Sequence, residues 1–239
     1  MKIWLRDNIF QSKILNNKEI LVFIPAYNEE NNLKKVLEDL ISRNYSILVI
    51  DDGSTDETFN IATKMSVEVI RHSHNKGYEQ ALSSGLSYAI KNDYNFAISF
   101  DADGQMFADD IKKLFNLAKE RDADIVVGKR QIKNRIFEYF VGALTRFYYS
   151  ISDPLCGLKL YKISTIARLL PFDTKNLAGT ELLIKALQRR GFSILEMKID
   201  IKKRIDKAKF GNFFTGEIKI LRVFFIIVFL ILTSGYEKK

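Results

Sequence analysis

Two carboxylates one residue apart, Asp101-Ala-Asp103, close an apolar run at residues 96–100 (FAISF). Acidic side chains leaving a strand end suit a hard divalent cation, which takes one or two carboxylates and completes its shell with phosphate oxygens and water. Gln105 can add an amide oxygen. A bare pair of this kind is more often a solvated turn, so it needs companions to carry weight. Asp51-Asp52-Gly-Ser-Thr-Asp56 closes a second apolar run, residues 47–50. Gly53 permits a tight turn, and Ser54, Thr55 or Asp56 can cap the next helix. Capping does not account for two adjacent carboxylates, one of which can accept hydrogen bonds from a ribose or base. Pro25-Ala-Tyr-Asn-Glu29-Glu30 follows a third run, residues 20–24. Tyr27 can stack on a base and Glu29 can accept from a ring N–H; alternatively, the acidic pair only favours a helix N-terminus.

Other chemistry is excluded or weakened. His72 and His74 are the only histidines and have no evident third ligand, so they read as loop residues and not as a zinc site. Cys156 is the single cysteine, which rules out an internal disulfide framework and fits a reducing compartment. Beside Pro154, Leu155 and Gly157 it reads as a small buried residue, since no Cys/His pairing is visible. The sequence has no GxGxxG, Walker A or GxSxG motif, so hydride transfer, P-loop hydrolysis and α/β-hydrolase chemistry lose support.

The elements that position these residues follow from the apolar periodicity. The chain has 239 residues, which suits one large domain with appendages. We expect an N-terminal arm at 1–19, a main domain at 20–216 and an apolar tail at 217–239. Strands are expected at 20–24, 47–50, 67–70, 96–100 and 125–127. Helices are expected between them: one with Leu33, Val36, Leu37, Leu40 and Ile41 at helical spacing and Asn28 as its N-cap, then 59–65, 80–90 and 111–119. This alternation predicts an α/β fold: a mostly parallel, twisted sheet flanked by helices on both faces, in a single domain. In such sheets ligands bind beyond the C-terminal ends of the strands, and three of those ends carry the clusters above. After Arg130 the pattern changes. Residues 131–150 are basic and aromatic. Residues 153–159 form a turn leading into a short strand. A helix at 181–190 is capped by Gly191, a strand follows at 194–201, and 202–209 is basic.

The tail closes with ten consecutive apolar residues, 223–232. As a helix they span roughly half of the ~30 Å bilayer core. With the aromatic run 137–149 and the basic stretches 129–135 and 202–209 they predict contact with a membrane surface; the alternative is that tail and aromatics pack onto the domain. The N-terminus has no uninterrupted apolar segment, so no secretory signal is expected. Lys and Arg total 37 against 29 Asp and Glu, a net charge of +8, which suits anionic partners. No nucleic-acid motif accompanies the charge, and the acidic clusters argue against a nucleic-acid partner.

Taken in order, PAYNEE, DDGSTD, NKG (residues 75–77) and DADGQ resemble family 2 glycosyltransferases of the GT-A fold, and within them the polyprenyl-phosphate glycosyltransferases, over about residues 20–215. The resemblance implies sugar transfer from a UDP- or GDP-sugar to a lipid-phosphate acceptor, with Mg2+ or Mn2+, at the inner face of the cytoplasmic membrane. It implies that Pro25, Tyr27, Glu29, Ile50 and Asp52 hold the nucleoside. Asp101, Ala102 and Asp103 would hold the donor and metal, with Gln105 as a further metal ligand. Arg130 corresponds to a donor-binding arginine. Asp153-x-x-x-Gly157-x-Lys159 corresponds to a segment near the acceptor, and Glu181 to an acidic residue facing the reaction centre. Arg204 corresponds to the arginine of a loop that closes over the diphosphate, with Lys209 as a phosphate ligand. That loop is one residue shorter than the family's R-x-x-G-x-S-K, and Glu79 stands where the family's N-x-G-x-G-x-A has its second glycine.

In-line displacement predicts inversion at the anomeric carbon. A lipid phosphate has a second pKa of about 6 and needs no strong base. A sugar hydroxyl in polysaccharide or glycolipid synthesis would need one, with Glu181 or Asp153 as candidates unless they are a helix-start glutamate and a turn aspartate. A non-catalytic scaffold is the third reading, and the intact Asp101 and Asp103 speak against it.

Overall fold

A computed structural model describes residues 18–133, 135–169, 179–202 and 213–233. The apolar runs become strands because chain this hydrophobic is stable only with both faces covered. The order is β1 (Ile20–Ala26), α1 (Leu33–Ser42), β2 (Ser46–Asp51), α2 (Thr58–Thr63), β3 (Glu68–Arg71), α3 (Tyr78–Lys91), β4 (Phe96–Ser99), α4 (Asp109–Arg121) and β5 (Ile125–Arg130). There follow α5 (Ile136–Tyr149), β6 (Lys159–Lys162), α6 (Ile163–Ile166) with a 3-10 turn (Ala167–Leu169), α7 (Glu181–Leu187), β7 (Ile194–Ile199) and α8 (Phe213–Thr233).

Among the described residues these strands form one sheet in the order β3-β2-β1-β4-β6-β5-β7. All neighbouring pairs are parallel except those made by β6, which runs antiparallel to both β4 and β5. The expected α/β sheet is present, with this one reversed strand inside it. The main core gathers Leu21, Phe23, Leu48, Ile98, Val126 and Leu160 from the strands with Leu37, Leu86 and Leu114 from the helices. A second cluster joins α5, α7 and α8 through Val141, Ile184, Ile220, Val223 and Ile227. Glu217 locks the pair α5–α8: its carboxylate oxygens accept the Ile136 and Phe137 N–H groups at 2.9 and 3.1 Å. These amides belong to the first turn of α5 and have no partner within their own helix.

Three local expectations are corrected. Asn28 does not cap α1, which begins after Asn32. Asn28 takes φ +54°, a left-handed conformation that asparagine tolerates, and its Oδ1 accepts the Thr55 N–H at 2.8 Å. The helix expected at 181–190 stops at Leu187, and Gln188 is its C-cap; Gly191 lies further on at φ +92°. The last strand ends at Ile199 instead of 201. The apolar tail is part of α8, described over Phe213–Thr233. Among the described residues no helix is long and apolar enough to cross a membrane.

Candidate active site

β1, β2 and β4 are parallel neighbours, with Ala26 opposite Asp51 and Phe23 opposite Ser99, so the loops that follow them leave from one edge of the sheet. The ladder continues into those loops. The Asp52 N–H donates to the Ala26 carbonyl at 2.8 Å, and the Phe100 N–H to the Phe23 carbonyl at 3.0 Å. The head of α3 then ties the loops together. The Lys76 and Gly77 N–H groups donate to Oδ1 and Oδ2 of Asp52 at 2.9 and 2.8 Å. The next side chain, Tyr78, donates its hydroxyl to Oδ1 of Asp101 at 3.2 Å. Adjacent residues of α3 thus reach both carboxylates and link the loops that carry Asp52 and Asp101. Asp103 lies two residues on, its Oδ1 accepting the Gln105 N–H at 3.1 Å.

The reversed strand brings a further loop to the same rim. Lys159, the first residue of β6, pairs with Ser99 and with Val127, so residues 153–158 enter between the ends of β4 and β5. Gly157 stands directly against the Asp101 carboxylate, leaving no room for a Cβ. The Ser99 hydroxyl holds it there by donating to the Gly157 carbonyl at 2.6 Å. Arg130, closing β5, donates its N–H and Nε to Oδ2 of Asp153 at 3.0 and 2.8 Å and its Nη2 to Oδ1 at 2.9 Å. Nη2 also reaches Glu138 Oε2 at 2.8 Å. Burial opposes the Arg130 charge, but Asp153 and Glu138 outweigh it and hold its pKa above the usual value. The Ser152 and Asp153 N–H groups in turn donate to Oε1 of Glu196 at 2.6 and 2.7 Å. Asp153 is 1% exposed and wrapped by the guanidinium, so its lone pairs are engaged and it is poorly placed to take a proton. Glu181, the first residue of α7, is buried and pairs with Lys185 Nζ at 3.0 Å.

Burial pushes Asp101 up to about 6, and the Asp103 charge adds to the shift; Lys159 and the Tyr78 hydroxyl oppose it. A cation between the two aspartates would relieve this repulsion. Among the described residues no group of three or more His, Cys, Asp or Glu is placed to hold a metal. Two carboxylates alone leave most of a cation's shell to other oxygens, which fits Mg2+ or Mn2+ shared with a diphosphate and does not fit an all-protein metal cage. Lys159 is buried beside them, its pKa lowered by that burial, with Nζ donating to the Cys156 and Gly179 carbonyls at 2.6 and 3.1 Å. Cys156 is buried, and burial pushes its thiol up to about 12, an inert state.

The remaining expected residues occupy varied surroundings. Tyr27 is 41% exposed beside the rim, Glu29 is buried, and Pro25 pairs in register with Ile50. Ile50 itself is fully buried, beneath the rim and not on it. Ala102 is buried between the two aspartates. Gln105 accepts the Lys202 N–H at 2.7 Å through its carbonyl, and its side-chain amide lies 3.4 Å from the Lys202 carbonyl. The chain beyond β7 therefore departs from the DADGQ loop. Arg204 and Lys209, like most of the N-terminal arm, lie outside the described residues.

His72 lies in the loop after β3, as its neighbours suggest, but it is not a bystander. It is buried, with Nδ1 2.6 Å from Asp52 Oδ1 and Nε2 2.9 Å from Ser84 Oγ, so it fixes the Asp52 carboxylate from behind. Glu138, Glu196 and Tyr78 were likewise unread. Their partners lie 8 to 44 residues away, and nothing in their neighbours marks them.

The family described as glycosyl transferase family 2 matches residues 21–172. The UDP-N-acetylglucosamine–dolichyl-phosphate N-acetylglucosaminyltransferase of Methanococcus voltae is 32% identical over 180 residues, 63% of this chain and 72% of that protein. Polyprenol monophosphomannose synthase of Mycolicibacterium smegmatis is 26% identical over 206 residues, 77% of each chain. Among solved structures, glucosyl-3-phosphoglycerate synthase from Mycobacterium tuberculosis, crystallised with Mn2+, UDP and phosphoglyceric acid, superposes with a TM-score of 0.71 at 17% identity, covering 97% of this chain and 84% of that one. At that identity the likeness speaks to the fold, which is GT-A-like.

Proposed function

The chain belongs to glycosyltransferase family 2, and from that premise we propose that it moves a sugar from a UDP- or GDP-sugar to a polyprenyl phosphate at a membrane surface, with inversion. One observation supports the reading: Asp52 and Asp101, which follow β2 and β4, are both held by the head of α3, with Asp103 two residues beyond Asp101. Asp101 and Asp103 would hold a divalent cation, with the Gln105 amide oxygen as a third protein ligand. When bound, such a cation offsets charge building on the departing diphosphate. Tyr27 is exposed to stack on the base. Asp52 already accepts from His72, Lys76 and Gly77, and its Oδ2 has room for one further N–H or O–H donor. Ile50, fully buried, would contribute only packing beneath the nucleoside. Arg130 has Nε and Nη2 engaged by Asp153 and Glu138, which leaves Nη1 to reach a donor phosphate.

Two features favour a phosphate acceptor. Of the candidate bases, Asp153 is committed to Arg130 and Glu181 is paired with Lys185, which suits an acceptor already ionised. The helix pair α5–α8 supplies the surface. Apart from Tyr27 and Phe107, every strongly exposed large apolar side chain among the described residues lies on or just before these two helices, including Tyr139, Phe147, Phe225, Phe229 and Leu232. Lys133, Arg146, Lys219 and Arg222 flank them. A basic helix pair exposing aromatics fits an anionic lipid interface, and the two relatives named above are called dolichyl-phosphate and polyprenol enzymes. On this reading 20–216 is the transferase unit and 217–239 its membrane contact.

The test is a thermal-shift panel of UDP-, GDP- and CDP-sugars with and without Mn2+, followed by transfer to undecaprenyl phosphate. We expect a nucleotide shift that needs metal and is lost in Asp103→Ala. The absence of any such shift sinks the donor assignment. Deleting residues 217–239 should release the protein from phosphatidylglycerol vesicles, and unchanged binding would sink the membrane contact.

A further inference from the structure

Four consecutive residues at the head of α3 touch three different segments. Lys76 and Gly77 hold Asp52, and Tyr78 holds Asp101. The fourth, Glu79, is buried and turns the other way: its Oε1 accepts the Gly179 N–H at 2.7 Å, across 100 residues of sequence. Gly179 is gripped on every side. Its carbonyl accepts from Lys159 Nζ at 3.1 Å. Its φ of +78° and the Tyr78 ring, 2.6 Å from where a Cβ would stand, leave room only for glycine. Two residues on, Glu181 opens α7. Lys159 also holds the Cys156 carbonyl, next to the Gly157 that abuts Asp101. These contacts close a ring: Asp101, Tyr78, Gly179, Lys159, Cys156 and Gly157, with Glu79 as the arm that fastens Gly179 to α3.

A glutamate in the first turn of a helix is ordinarily solvated, and a buried one costs desolvation that a partner must offset. The partner is the segment that carries Glu181. We propose that Glu79 is a positioning residue that sets the head of α7, and with it Glu181, in register with the Asp101 rim. The proposal rests on the reading of that rim as the reaction centre. The Glu79 carboxylate is turned toward Gly179 and makes no hydrogen bond to Asp52, Asp101 or Asp103. Its effect is on the alignment between the two sides of the site, a misplacement of about 1 Å being enough to slow a reaction about 100-fold.

The experiment compares Glu79→Ala with Glu79→Gln in the full chain. Gln retains an oxygen acceptor for the Gly179 N–H; Ala does not. Three readouts are taken: Mn2+–UDP binding by calorimetry, kcat for transfer to undecaprenyl phosphate, and hydrogen exchange at residues 179–181. For Glu79→Ala we expect Mn2+–UDP affinity unchanged, kcat lower by about 10- to 100-fold, and faster exchange at 179–181. Glu79→Gln should restore both kcat and protection. A kcat that survives Glu79→Ala, or an equal loss in both variants, overturns the proposal. So does unaltered exchange at 179–181. Should Glu79→Ala not fold, Glu79→Asp shortens the same arm by one methylene while keeping its charge, and the same outcomes apply. If the wild-type protein binds no Mn2+–UDP, the donor assignment fails on its own account, and the exchange comparison still decides whether Glu79 fixes the α7 head.

Discussion

Replacing Gly157 with alanine should disable the site while leaving the fold largely intact. A Cβ at position 157 would fall well inside 3.0 Å of both Asp101 carboxylate oxygens, a separation that real Cβ atoms do not adopt. One side has to yield. The loop is held by the Ser99 hydroxyl on the Gly157 carbonyl at 2.6 Å and by Lys159 Nζ on the Cys156 carbonyl, also at 2.6 Å. The carboxylate has weaker restraint, a single 3.2 Å hydrogen bond from Tyr78, so it is the group that moves. Clearing the new methyl requires a retreat of about 1 Å, and an error of that size costs about 100-fold in rate, equivalent to about 2.7 kcal/mol of transition-state stabilisation. The assay is transfer rate against Mn2+ concentration, with the melting temperature measured alongside. We expect the Mn2+ dependence to shift to higher concentration and kcat to fall about 100-fold, while the melting temperature changes little. A Gly157→Ala protein with wild-type Mn2+ dependence and rate would refute the assignment of Asp101 to the cation site.

Further expectations concern charge and pH. Asp101 titrates at about 6 in the folded chain against 3.8 for an ordinary aspartate. A carboxyl whose folded pKa is raised stabilises the protein most below the ordinary value and loses that contribution as pH rises through the folded one. The metal-free protein should therefore soften between about pH 4 and 6, and the melting-temperature gain from Mn2+ should grow over the same interval; a gain independent of pH would contradict the buried pair. Arg130→Ala strands Asp153 and Glu138 without their partner and should cost about 3–5 kcal/mol in urea unfolding, with Arg130→Lys recovering only part because an ammonium lacks the planar fork. His72→Ala removes the contact behind Asp52 and should cost about 1–3 kcal/mol, accompanied by faster hydrogen exchange at residues 75–77. Retained protection there would show that Asp52 holds that loop unaided.

The alternation of apolar runs and amphipathic helices was readable along the chain because it is a local property. Residues 20–24 and 47–50 are too apolar to leave a face in water, and that alone makes them buried strands. Parallel order delivers the loops after β1, β2 and β4 to one edge, and for that reason the sequence alone points to Asp52, Asp101 and Asp103 as a group. Residue types also marked the aromatic α5 and the apolar α8. Other features arise only from pairing at long range. The direction of β6 depends on which neighbours accept its four residues, and four residues carry no signal for that choice; yet the reversal is what brings Gly157 against Asp101. The sequence leaves Asp153 open between candidate base and turn residue, and does not show that Arg130, 23 residues away, engages both its oxygens. His72 lies in the loop after β3 and Glu79 in the first turn of α3, as their neighbours suggest, but their partners lie 20 and 100 residues distant and leave no trace there. A hydrogen-bond partner is set by burial and register in three dimensions, and composition and spacing along one chain do not record it.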